Sequence, residues 1–397
     1  MDKYGKNFCM APWVHMSVWQ TGDAYPCCIY DWNKPIGNIN ENGFKGVWNS
    51  HKMRKLRLDM LQDRASPGCA KCIMYDNQGI LSYRYKFNNE YIHHYDLVET
   101  TKEDGSVDKL NVAYFDVRFS NLCNMKCRTC GPHFSSKWAE DTEGKPRVVE
   151  INHPGMWEEI ETMLPNIEEI YFTGGESMFM DQHYKLLDLL IQNNLKPKLT
   201  YNSNGSRLSL KNKHIKDYWN HFDNIFFGIS LDQIESKAEY TRHGQPWNTI
   251  LENLLYIRNE FPQVTIQPNP TINVYNILNL REIVNFLFKY NLATDYDINL
   301  SNILVGPNYL SCTILPQELK DVAAKKLDQL IKDFDYFDMY PQRKEFLTEQ
   351  VNNIKNYLQS KDDTDLIPKF KEEMQKLDNV RNENFIKVFP ELKVLYD

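Results

Sequence analysis

Apolar and polar positions in the middle of the chain repeat with two different periods. Segments 111–119, 168–173, 198–204, 224–231, 263–272 and 295–304 read as strands. Between them, 155–163, 182–193, 210–219, 247–259 and 278–290 repeat apolar residues every three to four positions. A period of two puts successive side chains on opposite faces of a strand, and a period near 3.6 marks one face of a helix. Six strands joined by helical crossovers predict an α/β fold with a parallel sheet, either flat and doubly wound or curled into a barrel. Periodicity leaves that choice open.

Before this region, 12–20 and 25–31 read as two short strands around the turn Thr21-Gly22-Asp23-Ala24. Residues 50–62 follow as an amphipathic helix with Met53, Leu56, Met60 and Leu61 on one face. After it, Leu319, Val322, Ala323, Leu327, Leu330 and Ile331 form an apolar stripe, and charged helices are expected at 341–358 and 365–378. The polar stretch from Glu99 to Lys109 reads as a linker. The expected organisation is an N-terminal domain at 1–98, a linker at 99–110, the strand–helix region at 111–307 and a helical cap at 308–397.

Several strands carry polar residues on one face: Asp116, Arg118 and Ser120; Thr200, Asn202 and Asn204; Asp295, Asp297, Asn299 and Ser301. The outer face of a barrel packs on helices, so these rows are expected to point inward. There they either line a cavity for a polar ligand or pair with one another, as Asp116 would with Arg118.

Composition narrows the function. A formal charge of −7 over 397 residues weighs against a nucleic-acid backbone as general partner, because such proteins present a basic surface to phosphates. Residues 1–72 run the other way, with ten Lys/Arg against six Asp/Glu. That excess is either a counterweight for an anionic metal cluster or a solvated helix face. No apolar run approaches the roughly 18 residues of a membrane span and no signal peptide is visible, so a cytoplasmic location is expected. In a reducing compartment nine bunched cysteines point to metal binding rather than to a disulfide framework.

The densest bunch is Cys123-Asn-Met-Lys-Cys127-Arg-Thr-Cys130. Three thiolates on one loop can hold three corners of a cubane iron–sulfur cluster and leave one iron open; zinc with His133 as a fourth ligand fits the same spacing. The Cys-x3-Cys-x2-Cys spacing resembles the signature of the radical S-adenosylmethionine (radical SAM) enzymes. The resemblance implies a partial six-stranded (β/α) barrel and a four-iron four-sulfur cluster on Cys123, Cys127 and Cys130. It also implies SAM chelated at the open iron, and reductive cleavage to a 5'-deoxyadenosyl radical that abstracts hydrogen from substrate. Ile170-Tyr-Phe-Thr-Gly174-Gly175-Glu176 resembles the family motif that grips the methionine amino group, with Glu176 as its carboxylate. Asn204 and Ser230 match strand-end residues near SAM, and Arg242 looks like the arginine that pairs its carboxylate. Cys312 stands alone and reads as a buried small residue.

The N-terminal cysteines form a second group: Cys9, the adjacent pair Cys27 and Cys28, and the knuckle Cys69-Ala-Lys-Cys72. Spacing alone permits a four-cysteine zinc site. Cys9, Gly22-x4-Cys27 and Cys69-x2-Cys72 together resemble the SPASM or Twitch auxiliary-cluster domain of radical SAM enzymes. That resemblance implies one auxiliary four-iron four-sulfur cluster on Cys9, Cys27, Cys69 and Cys72, with Cys27 favoured over Cys28. The expected partners are a peptide or small-molecule substrate and an external electron donor such as flavodoxin or ferredoxin. A zinc or iron–sulfur interaction module without catalysis is the alternative.

Overall fold

The computed structural model describes residues 2–77, 81–293, 298–304 and 306–396. By internal contacts these divide into two compact units, each discontinuous in sequence: 1–122 with 148–200 and 216–224, and 123–147 with 201–215 and 225–397.

In the first unit the predicted N-terminal hairpin forms, but shorter than the pattern implied. His15–Val18 pairs antiparallel with Asp23–Tyr25, which in turn pairs with Gly37–Asn38. Residues 11–14 instead make a short helix, with Pro12 in its first turn where a fixed φ suits a helix start. Beyond Tyr25 the chain turns, since Pro26 has no N–H to extend the ladder. His15–Val18 also pairs in parallel with Tyr114–Val117, which pairs in parallel with Glu169–Phe172. The N-terminal segment therefore contributes a strand to the same sheet as the first strand of the 111–307 region. The stretch after Glu99 is packed rather than loose. Trp13 Nε1 donates to Thr101 Oγ1 at 2.8 Å, and Asn49 Nδ2 donates to the Val107 carbonyl at 2.8 Å.

Register aligns Ser17, Asp116 and Tyr171 across three neighbouring strands, with His15, Tyr114 and Glu169 one pleat away. The polar row is internally paired. The Ser17 hydroxyl donates to Asp116 Oδ2 at 2.7 Å, Arg118 stands 3.6 Å from Asp116 Oδ1, and Thr200 donates to Glu169 Oε1 at 2.7 Å. Asp116 is fully buried, and that burial, opposed by Arg118 and Ser17, raises its carboxyl above the usual range.

The strand Lys198–Ser203 passes from the first unit into the second, where Ile225–Ile229 and Val264–Pro268 pair in parallel. Asp295 and Asp297 of the expected sixth strand lie outside the described residues. The rest of that segment continues the ladder: Asn299 N–H donates to the Pro268 carbonyl, and a parallel bridge joins Ile303 to Ile272. The helix expected at 210–219 is mostly replaced by a tight hairpin, Ser209–Leu210 against Lys213–His214, closed by Lys211 at φ 55°; only Lys216–Trp219 is helical. The polar run Lys211-Asn-Lys has no apolar anchor to hold a helical turn there.

The C-terminal helices lie where periodicity puts them: Gln317–Asp333, Pro341–Gln359 and Ile367–Arg381. Leu347, Val351, Ile354 and Leu358 are the buried stripe of the second. The third ends at Asn382, whose left-handed φ of 54° makes a C-cap that asparagine tolerates. No helix among the described residues is long and apolar enough to cross a membrane.

Candidate functional site

The cysteine loop of the second unit is held by its own backbone and by buried polar groups. Cys130 N–H bonds the Cys127 carbonyl at 3.0 Å, closing a turn. The same carbonyl accepts the Trp138 indole N–H at 3.1 Å. Lys126 and Cys127 pair antiparallel with Arg242 and His243, so Arg242 lies directly opposite Cys127. Its guanidinium bonds Asp232 at 2.7 Å while its Nε is buried with no partner. Burial works against that charge, but the Cys127 thiol and Asp232 outweigh it and hold Arg242 above the ordinary arginine value. Burial pushes the Cys130 thiol up to about 12. Loop and arginine are thus arranged so that thiolates become favourable once a cation joins them. Asn204 Nδ2 stands 4.0 Å from Cys123 Sγ and 3.1 Å from Asn124 Oδ1, and the Ser230 hydroxyl donates to Asn202 at 3.4 Å.

Gly174, Gly175 and Glu176 follow the strand Glu169–Phe172 in the first unit. Their approach is to backbone. Gly175 N–H bonds the Ser120 carbonyl at 3.2 Å and Glu176 N–H bonds the Leu122 carbonyl, immediately before Cys123, at 2.8 Å. Gly174 has φ +117°, and a Cβ on Gly175 would lie 2.2 Å from the Leu122 oxygen. Glycine is required at both positions for this contact. The Glu176 side chain is fully buried and caps the 3-10 turn Ser177–Phe179 through the Met178 N–H at 3.4 Å.

Within the first unit, Cys9, Cys27, Cys69 and Cys72 line one cavity of ≈ 230 Å³, together with Tyr30 and Tyr83. Cys69 sits on the 3-10 turn Pro67–Cys69 and Cys72 on the helix Ala70–Asn77 that follows. Burial pushes the Cys69 thiol up to about 12, and Cys27 and Cys9 are raised further by burial and by the neighbouring thiols. Four thiols around a space larger than one ion fit a cubane cluster, and the chemistry of the donor set, all soft sulfur, fits iron–sulfur. The cavity lining does not include Cys28, whose thiol is raised to about 12 by burial and then by Asp116.

Residues 117–287 match the profile of the radical SAM superfamily, and residues 9–73 match that of the SPASM iron-sulfur cluster-binding domain. Residues 117–287 form a radical SAM domain, preceded at 9–73 by a SPASM domain. The chain's fold is accordingly mixed α/β with parallel strands and a helical C-terminal region, and the two domains imply four-iron four-sulfur clusters and SAM as cofactors. No curated protein matches the sequence. Similar solved structures include Streptococcus suis SuiB bound to S-adenosylmethionine, at 12% identity over 82% of this chain and 71% of that one, TM-score 0.40. Another is native anSMEcpe with bound AdoMet and Cp18Cys peptide, at 13% identity over 55% of this chain, TM-score 0.38. The match spans only 60% of the length of that anSMEcpe chain. The likeness is faint, and the family assignment stands on the two domain matches.

Part of the radical SAM loop's support was invisible in the sequence. Arg128, inside the cysteine motif, has a fully buried guanidinium 3.6 Å from the Tyr240 ring centroid. It pairs with Asp378 at 2.6 Å and Glu383 at 2.5 Å, and Glu383 also bonds His243 at 2.8 Å. Arg381 pairs with Asp141, which also takes Lys126 at 2.6 Å. The C-terminal helix Ile367–Arg381 and the turn after it thereby clasp the loop. Partners some 250 residues apart leave no local signature.

Proposed function

We propose that the chain is a radical SAM enzyme that cleaves SAM reductively at a cluster on Cys123, Cys127 and Cys130 and abstracts hydrogen from a peptide or small-molecule substrate. The observation that supports it most is the loop itself: three cysteines in eight residues inside the radical SAM domain, with part-buried Arg242 opposite the central thiol. When bound, the cluster and SAM supply an electron and a 5'-deoxyadenosyl radical. The protein's part is to hold and shield. Arg242 offsets thiolate charge and has a free Nε for a carboxylate, a task suited to guanidinium. Glu176 takes an ammonium by releasing the Met178 N–H it caps. Asn204 and Ser230 lie on the loops beyond two parallel strands, where open α/β folds bind ligands.

Cys9, Cys27, Cys69 and Cys72 close all four corners of one auxiliary cluster, leaving no iron free for SAM. Its role is electron transfer, with an external donor such as flavodoxin or ferredoxin completing the circuit. The decisive experiment is anaerobic: the reconstituted protein, given SAM and dithionite, is expected to be brown and to yield 5'-deoxyadenosine. Colourless protein containing zinc would sink this reading in favour of an interaction module.

A further inference from the structure

His93, His94 and Glu168 lie outside both cysteine sets, and their donor atoms come together in the first unit. His93 Nε2 stands 3.0 and 3.1 Å from the two Glu168 oxygens, and His94 Nε2 is 2.6 Å from Oε1. All three ligand atoms lie within 4.8 Å of one another. Metal–nitrogen and metal–oxygen bonds of about 2.0–2.2 Å place neighbouring donors of a tetrahedral shell roughly 3.3 to 3.6 Å apart, so each His–Glu contact needs to open by only about 0.3 to 1 Å to admit an ion. Adjacent residues on an α-helix or strand point apart. Here the 3-10 turn Ile92–His94 brings the two rings to 4.3 Å between centroids, with the buried Tyr91 ring stacked on His94. Glu168 is equally well placed, because its N–H bonds the Ala113 carbonyl and its carbonyl accepts Lys198 N–H. The carboxylate is therefore aimed by two neighbouring strands rather than by a free loop.

We propose that His93, His94 and Glu168 form a binding site for a divalent cation of zinc type, separate from the iron–sulfur centres. Two imidazoles and one carboxylate suit zinc and its first-row neighbours, whereas calcium and magnesium prefer all-oxygen shells. Three protein ligands leave the remaining positions to water. Binding asks little of the protein. Each imidazole would present its Nε2 lone pair to the ion, with its ring proton on Nδ1. The ion would tie the segment that follows the SPASM cysteines to the start of the strand Glu169–Phe172. Half-exposed His93 and Glu168 keep an entry path open.

The test uses full-length protein with its iron–sulfur clusters loaded, so that no cysteine site competes, and Zn²⁺ alone as the probe. Zinc is titrated against a chromogenic chelator, with iron measured in the same samples. About one zinc per chain is expected, with affinity falling at least roughly tenfold in His93→Ala/His94→Ala and in Glu168→Gln while iron stays constant. Zinc should also raise the melting temperature of the wild type and not that of the variants. Glu168→Gln keeps the shape and hydrogen-bonding capacity of the site, so it decides the matter if the double histidine variant fails to fold. No zinc bound at about 100 μM free zinc, or equal binding in wild type and Glu168→Gln, would mean that the three residues are only a hydrogen-bonded surface cluster.

Discussion

The two cysteine sets solve the same chemical problem in opposite ways. The SPASM set gathers Cys9, Cys27, Cys69 and Cys72 from three separate segments around one cavity, so a cubane held there would have a sulfur for every corner. The radical SAM set takes Cys123, Cys127 and Cys130 from one loop, and the group opposite it is a cation, Arg242, rather than a fourth thiol. A closed shell suits a group that only passes electrons, and an open one suits a group that must bind a ligand. Their supports differ to match. The SPASM set rests on a local knuckle, turn and helix, while the loop depends on a buried ionic clasp from the C-terminus.

The comparison breaks most sharply at the loop. Replacing any one of Cys123, Cys127 or Cys130 with Ala is expected to abolish reductive SAM cleavage; 5'-deoxyadenosine from the triple variant would show that the open site lies elsewhere. Replacing Cys69 and Cys72 together should lower iron from about eight to about four per chain and spare some SAM cleavage. Loss of both clusters would make the SPASM domain a structural prop. Cys28→Ser should leave iron unchanged, because Cys28 is not in the lining of the cavity shared by the other four cysteines.

Breaking the clasp comes next. Asp378→Asn with Glu383→Gln leaves Arg128 buried and uncompensated, a loss of about 3–5 kcal/mol. Denaturant titration should read it directly, and the loop cluster should bleach faster than the SPASM cluster. Bleaching of both at equal rates would end the idea that the clasp serves the loop alone. A smaller effect is expected at Glu176→Gln: iron unchanged, SAM affinity down roughly tenfold, as for one lost charge-assisted contact. The smallest concerns pH in cluster-free protein. The Cys69 thiol, raised by burial from 9.0 to about 12, contributes stability that is complete below pH 9 and is lost as pH rises toward 12. Flat stability across that window would mean that the thiol is not buried in the cluster-free state.

Motif spacing marked Cys123, Cys127 and Cys130 as one set, because thiolates on a short loop can share a centre whatever surrounds them, whereas Cys9, Cys27, Cys69 and Cys72 were grouped by the family resemblance. Periodicity likewise determined five of the strands and the C-terminal helices, since amphipathic faces are written locally. It failed at 210–219, where the pattern was weak, and at 25–31, where Pro26 outweighed the apolar run. The choice between Cys27 and Cys28 was legible only through the family resemblance; the structure adds that Cys27, and not Cys28, lines the cavity. Three arrangements were decided by tertiary structure alone. The N-terminal strand joins the sheet beside Tyr114–Val117, Arg128 meets Asp378 and Glu383, and His93 and His94 meet Glu168. Each joins residues some 75 to 255 positions apart. Such partners are selected by packing and burial, which no local pattern of residues encodes.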